Sequence, residues 1–252
     1  MTKILLNILT HGDELVGLKI ADKIKQRHPT IIGSGLDIQI ANERAYREGK
    51  RYIDKDLNRV FPGNSGGSYE EKRAYELKSV IASYNLVIDI HSTKSGSKDV
   101  VIVTKFDGAT KDLLRVLLPR RVLFMNMKPD SSLISCAKIG IAFEMGRDEN
   151  PETFQKTIQG VEALLAHFKL ISPKPNFGYP TECFEVFASV PRPSGAILEP
   201  NIKNFLPIKK GEIFARKTDG NPIVADSDFY PVIFGSNNYE TIFGFAARIL
   251  PV

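Results

Sequence analysis

The chain has 252 residues, of which 42% are hydrophobic and 25% charged, so it can bury a large core and is not globally disordered. The formal net charge is +5, with 34 basic residues scattered among 29 acidic ones. This scatter lacks the basic stripe with interleaved aromatic residues that nucleic-acid-binding modules show. We therefore expect no nucleic-acid partner and favour an anionic small substrate.

Membrane insertion and export are not indicated either. No apolar run reaches the roughly 18 residues of a transmembrane helix, and the first residues lack the charged, apolar and small-residue regions of a signal peptide. The two cysteines, Cys136 and Cys183, show no pairing or Cys-x-x-Cys pattern. We expect a cytoplasmic protein, kept in a reducing compartment, with no membrane partner.

The first 171 residues alternate between apolar strand patterns and helical patterns. Buried strands are predicted at 3–9, 36–41, 86–90, 99–104, 121–125 and 139–143, and helices at 14–27, 68–84, around 113–118 and at 151–168. This alternation predicts an α/β fold with a mostly parallel or mixed sheet covered by helices on both faces. Segment 42–62 is predicted to be a long polar loop, and its interspersed apolar residues indicate that it packs down.

From residue 172 the sequence pattern changes. Prolines punctuate short alternating runs such as 183–190 and 230–234, and no helical pattern of any length follows. We predict a main α/β domain over residues 1–171 and a small all-β domain over residues 172–252.

Polar residues follow three of the predicted strands, namely His11 with Glu14, then His91, then Glu144. In open α/β sheets, ligands bind at the edge where parallel strands end. Two imidazoles and one carboxylate, with a fourth position left to water, form a catalytic zinc site, and zinc lowers the pKa of bound water to about 7. We predict one zinc ion per chain, held by His11, Glu14 and His91.

The remaining polar residues of the pattern suit amide hydrolysis. Glu144 would be the general base that takes a proton from water and passes it to the leaving nitrogen. Arg51 would stabilise the negative charge on the scissile carbonyl oxygen. Asn58 and Arg59 would hold a substrate carboxylate, the arginine through its planar fork. An ordinary loop ion pair with a nearby aspartate is the alternative for each arginine.

Four segments carry a family resemblance: THGDE at 10–14, RYIDKDLNRVF at 51–61, DIHST at 89–93 and FEMG at 143–146. In this order they resemble the succinylglutamate desuccinylase and aspartoacylase family, within the zinc carboxypeptidase-like fold. Segment 231–246 also looks like the closing strands of that family. The resemblance implies the same zinc ligands and the same roles for Glu144, Arg51, Asn58 and Arg59, and it adds Tyr239 reaching the pocket from the β domain.

The sequence departs from aspartoacylases at one subsite. Aspartoacylases carry a second carboxylate-binding arginine ten residues before the catalytic glutamate, where this chain has Ile134. The tyrosine just upstream of that arginine falls near Asp130. We therefore expect N-acyl derivatives of neutral amino acids to be preferred over N-acetylaspartate, unless Lys94 or Lys98 replaces the missing charge.

The function predicted from these residues is zinc-dependent cleavage of the amide bond of a small N-acyl amino acid. A zinc carboxypeptidase acting on short peptides is the first alternative. The small β domain argues against it, because in the similar family this domain flanks and narrows the entrance. A catalytically inactive metal-binding regulatory protein is the second alternative, and the retention of Glu144 and Arg51 argues against it. The acyl group, the amino acid and homo-oligomer formation are left open.

Overall fold

The computed structural model describes residues 2–93, 97–173, 181–236 and 239–251, and the helices and strands lie within these ranges. The strands are β1 (Ile4–Ile8), β2 (Leu36–Ile40), β3 (Leu86–His91), β4 (Val100–Val103), β5 (Arg121–Met125), β6 (Ile139–Glu144), β7 (Glu182–Pro191), β8 (Ile197–Leu198), β9 (Ile213–Arg216), β10 (Pro222–Val224), β11 (Tyr230–Val232) and β12 (Ile242–Ile249). The α-helices are α1 (Val16–Arg27), α2 (Glu43–Arg47), α3 (Tyr69–Ser83), α4 (Gly108–Leu117) and α5 (Pro151–His167).

Within the described residues, nine strands form one sheet in the order β11–β12–β7–β5–β4–β6–β3–β1–β2. Strands β2, β1, β3 and β6 are parallel to one another, whereas β4 runs antiparallel to β6. Strands β4, β5 and β7 are again parallel, and β7, β12 and β11 pair antiparallel. The predicted α/β class with a mostly parallel or mixed sheet is confirmed.

Helices cover both faces of the sheet. Side chains alternate along a strand, so β1 sends Ile4, Leu6 and Ile8 to one core and Leu5 to the other. Helices α1, α4 and α5 pack on the first face, and α3 packs on the second. Because both faces are covered, the central strands are mostly apolar, and the buried polar residues Asn7, Asp89 and His91 are exceptions. No helix in the described ranges is long and apolar enough to cross a membrane.

The C-terminal part is built of strands in both sheets. Strands β7, β11 and β12 continue the large sheet, and β8, β9 and β10 form a separate antiparallel sheet. A cluster of aromatic rings, including Phe214, Phe234 and Phe243, packs between them. The division into domains at residues 171 and 172 stays a prediction, since the large sheet receives strands from both parts of the chain.

The prediction of a continuous loop at 42–62 is wrong. This segment contains α2 and a short 3₁₀ helix at Leu57–Arg59. The Asn42 side chain accepts a hydrogen bond from the Ala45 amide at 3.4 Å and caps α2. A five-residue helix is too short to show a helical period of apolar residues. The expected packing of the segment is confirmed, because Leu57 and Phe61 are buried.

Candidate active site

Three neighbouring strands bring the predicted chemistry to one edge of the sheet. Strand β3 lies between β1 and β6, and His91 at its end is paired in register with Glu144. After β1, the chain turns through Gly12 to place His11 and Glu14 at the same edge. A Cβ atom at Gly12 would lie 2.3 Å from the backbone nitrogen of Tyr46, so the close approach of this turn requires glycine.

His11, Glu14 and His91 form a buried cluster whose ligand atoms all lie within 4.8 Å of one another. Glu14 is at its centre: Oε1 lies 2.7 Å from Nδ1 of His11, and Oε2 lies 2.9 Å from Nδ1 of His91. All three residues are at most 4% exposed. The structure therefore brings the three predicted zinc ligands together as a group that could hold a metal ion.

A second carboxylate lies behind each imidazole. Nε2 of His91 lies 2.7 Å from Oδ2 of Asp89, and Nε2 of His11 lies 3.1 Å from Oδ1 of Asp56. In both rings Nδ1 thus faces Glu14 and the opposite nitrogen faces a carboxylate. Metal-binding histidines in proteins are usually held in this way, because the carboxylate fixes the ring orientation and tautomer.

Sequence reasoning missed Asp89, although its signal was present. Asp89 lies two residues before His91 on β3, and residues two apart on a strand point to the same face. The Asp89 carboxylate is fully buried, and its Oδ1 accepts hydrogen bonds from Asn7 Nδ2 at 2.7 Å and Thr10 Oγ1 at 2.8 Å. These donors come from β1 and the turn that follows it, and they hold the Asp89 carboxylate in place beside the His91 ring.

The charges of the cluster shift the pKa values of its members. Burial alone would raise the pKa of Glu14, but the adjacent His11 and His91 hold it well below its usual range. Burial alone would lower the pKa of His91, but Asp89 and Glu14 raise it well above its usual value. The carboxylates around the two rings thus favour positive charge within the cluster.

Glu144 differs from the other carboxylates of the site. Its Oε2 atom is buried and has no hydrogen-bond partner in the part of the chain that the structure describes. Burial raises the pKa of Glu144 to about 7, against the opposing effect of His91 and with the support of Glu14. A carboxyl group with a pKa near neutrality can both accept and return a proton.

Arg51 lies directly against this cluster. Its Nη1 donates a hydrogen bond to Glu14 Oε1 at 2.9 Å, and its Nη2 lies 2.9 Å from His11 Nε2 and 3.7 Å from Asp56 Oδ2. Burial would lower the pKa of Arg51, but Glu14 and Asp56 raise it, so the guanidinium stays charged. The Arg51 side chain is 35% exposed.

A cavity of about 310 Å³ opens beside the cluster. All of the predicted site residues except Glu14 line it: His11, Arg51, Asn58, Arg59, His91, Glu144 and Tyr239. Asn58 Oδ1 accepts a hydrogen bond from the Leu133 amide at 2.9 Å, so its Nδ2 is the donor that remains for a ligand. Burial raises the pKa of Tyr239 to about 12, so its hydroxyl keeps its proton at neutral pH.

One wall of the cavity is apolar at the place where aspartoacylases have an arginine. Ile134 is buried and lines the cavity together with Ile102 and Phe245. Of the two lysines that could replace the missing charge, Lys98 is exposed and does not line the cavity. The other, Lys94, lies outside the described residues. A different lysine, Lys128, does belong to the lining and is exposed.

The model of the succinylglutamate desuccinylase/aspartoacylase catalytic domain matches residues 2–168, which is more than half of the chain. The chain belongs to this family. Among similar members, a probable aspartoacylase from Nostoc sp. (strain PCC 7120 / SAG 25.82 / UTEX 2576) is 28% identical over 255 residues, covering 88% of this chain and 87% of the relative. An N-acyl-aromatic-L-amino acid amidohydrolase (carboxylate-forming) from Xenopus tropicalis is 26% identical over 260 residues, covering 88% and 84%.

Solved structures of family members share the fold. Murine aminoacylase 3 superposes with a TM-score of 0.82 at 21% identity, covering 100% of this chain and 96% of the other. A succinylglutamate desuccinylase/aspartoacylase from Rhodobacter sphaeroides superposes with a TM-score of 0.75 at 17% identity, covering 100% and 86%. Because the sequence identities are below 25%, these superpositions show that the chain shares the fold of these proteins.

Proposed function

We propose that this protein is a zinc-dependent amidohydrolase that cleaves the amide bond of a small N-acyl amino acid. The observation that carries the proposal is the convergence of His11, Glu14 and His91 beside the buried carboxyl of Glu144. Two relatives support it through their names, since one is a probable aspartoacylase and the other an N-acyl-aromatic-L-amino acid amidohydrolase.

The donor set fits zinc. Two imidazole nitrogens and one carboxylate oxygen are the protein ligands of many catalytic zinc sites, and the carboxylates behind His11 and His91 suit the second nitrogen of each ring. One zinc ion per chain would be held by His11, Glu14 and His91. When bound, zinc acts as a Lewis acid and lowers the pKa of water to about 7.

In this proposal, residues of the chain carry out the proton transfers and stabilise the negative charge on the carbonyl oxygen. Glu144 takes a proton from the attacking water at its carboxylate and delivers it to the leaving nitrogen. Arg51, which lines the cavity, stabilises the negative charge that develops on the carbonyl oxygen. Tyr239, which keeps its proton at neutral pH, donates a hydrogen bond to the substrate from the C-terminal part of the chain.

The proposed substrate carries one carboxylate and a neutral side chain. Asn58 Nδ2 and the Arg59 guanidinium bind the α-carboxylate, since both line the cavity. Ile134 itself offers no charged partner, and a second carboxylate buried against it without one would be costly. A cavity of about 310 Å³ suits a small ligand better than a peptide chain.

The decisive experiment is a turnover panel on the zinc-loaded protein. N-acetyl and N-succinyl derivatives of acidic, aliphatic and aromatic amino acids are assayed beside di- and tripeptides with free termini. We expect hydrolysis of N-acyl amino acids and none of peptides. Cleavage restricted to peptides would favour a carboxypeptidase, and no cleavage at full zinc occupancy would favour a binding protein. Either result would refute the proposal.

A further inference from the structure

Glu70, near the start of α3, is a buried carboxylate outside the cavity. The residue has no exposed surface. Its Oε1 accepts hydrogen bonds from the Ile53 amide at 2.6 Å and from Asn42 Nδ2 at 3.2 Å. Its Oε2 accepts from the amides of Asp54 at 2.9 Å and Lys55 at 3.1 Å. Four donors from two segments therefore converge on one carboxylate.

The attachment between segment 53–55 and α3 is reciprocal. Asp54 Oδ2 accepts a hydrogen bond from the Tyr69 amide at 2.9 Å, at the first turn of α3. Lys55 Nζ forms an ion pair with Glu71 Oε1 at 3.0 Å. The chain at 53–55 is neither helix nor strand, so it lacks the backbone hydrogen bonds of a regular element. The side chain of Glu70 on α3 instead accepts hydrogen bonds from its backbone amides.

Three polar residues of the cavity lining flank the attached segment 53–55. Arg51 precedes it by two residues, and Asn58 and Arg59 follow it by three and four. Asp56, which faces His11 Nε2, follows directly after it. A displacement of 53–55 would therefore move the groups proposed for the carbonyl oxygen and the substrate carboxylate together.

We propose that Glu70 is a positioning residue for the reaction, acting through segment 51–59 without touching the substrate. This inference rests on the proposed function. A carboxylate can accept all four hydrogen bonds, because its two oxygens carry about four lone-pair sites. A carboxamide presents N–H groups on one side, which would face backbone N–H groups here. Four bonds to a charged acceptor make this attachment specific for glutamate.

The test is Glu70→Gln, which keeps the length of the side chain and removes the charge. We expect faster amide hydrogen exchange in peptides covering 51–59, with exchange in β1, β3 and β6 unchanged. We expect kcat/KM to fall about 100-fold, in line with the effect of small displacements in an active site. KM should rise and kcat should fall, because the segment carries both the carboxylate-binding residues and Arg51. Zinc should stay at one ion per chain.

Two further variants make the result interpretable. Glu76→Gln is the matched control on the same helix, because Glu76 is exposed and its ion-pair partner is Arg73. It should leave exchange and kinetics within about twofold of wild type. Asp54→Ala removes the hydrogen bond that Asp54 accepts from the Tyr69 amide, and it should reproduce the defects of Glu70→Gln in milder form. If Glu70→Gln does not fold, Asp54→Ala supplies the test in its place.

The outcomes separate this inference from the proposed function. Unchanged exchange at 51–59, or a kcat/KM within about twofold of wild type for folded, zinc-loaded Glu70→Gln, refutes the role of Glu70. Absence of any turnover by wild type refutes the proposed function instead. In that case the exchange rates at 51–59 still decide whether Glu70 positions the segment.

Discussion

Replacing Asp89 by asparagine tests the metal centre without substituting a proposed zinc ligand. In the structure, the buried Asp89 carboxylate faces three groups: His91 Nε2 at 2.7 Å, Asn7 Nδ2 at 2.7 Å and Thr10 Oγ1 at 2.8 Å. Asparagine has one carbonyl oxygen, so it cannot serve as acceptor on both sides. With its oxygen kept toward Asn7 and Thr10, its amide would face the ring nitrogen of His91.

The size of the effect follows from this loss. His91 would lose the acceptor that holds its ring with Nδ1 facing Glu14. Removing such a partner typically weakens metal binding about 10- to 100-fold, which corresponds to about 1.4–2.8 kcal/mol. Leaving one buried polar group unsatisfied also lowers the free energy of unfolding by about 1–3 kcal/mol. We expect both losses in Asp89→Asn.

The assay is a competition titration of zinc against a chromophoric chelator, with unfolding measured separately in denaturant. Asp37→Asn is the matched control, because Asp37 lies on β2 and its side chain accepts a hydrogen bond from Tyr84, away from the cluster. The control should bind zinc as wild type does. An unchanged zinc affinity in Asp89→Asn, or an equal loss in the control, would refute the reasoning.

Three further predictions concern the zinc ligands, the general base and the substrate. His91→Ala should abolish stoichiometric zinc binding, since it removes one of three converging donors; full occupancy in metal analysis would exclude His91 as a ligand. Glu144→Gln should retain one zinc ion and lose about 10²- to 10⁴-fold in kcat, the usual range for a general base; a wild-type rate would remove Glu144 from the mechanism. N-acetyl-leucine and N-acetyl-methionine should exceed N-acetylaspartate in kcat/KM by about tenfold or more, because Ile134 offers no charge to a second carboxylate. If N-acetylaspartate is the best substrate, a cation such as Lys128 has replaced the missing arginine, which Lys128→Gln would reveal by reversing the order.

Predictions from sequence succeed where the determinant is local. The apolar runs 3–9 and 86–90 predict buried strands, and β1 and β3 are buried along their whole lengths. Parallel strands covered on both faces have continuous apolar sequences, so their ends can be located from the sequence. Polar residues directly after such ends must lie at one edge of the sheet. For this reason the sequence by itself places His11, Glu14, His91 and Glu144 together.

Tertiary structure alone decided which carboxylates support the site. Asp56 faces His11 across 45 positions of sequence, and Glu70 holds residues 53–55 from a helix that begins after them. Nothing local distinguishes these two from the many exposed acidic residues nearby. Their burial and partners depend on how α3 packs against segment 51–59. The placement of β7 and β12 in the large sheet has the same origin, because strand pairing over such distances depends on the folded core and leaves no local pattern.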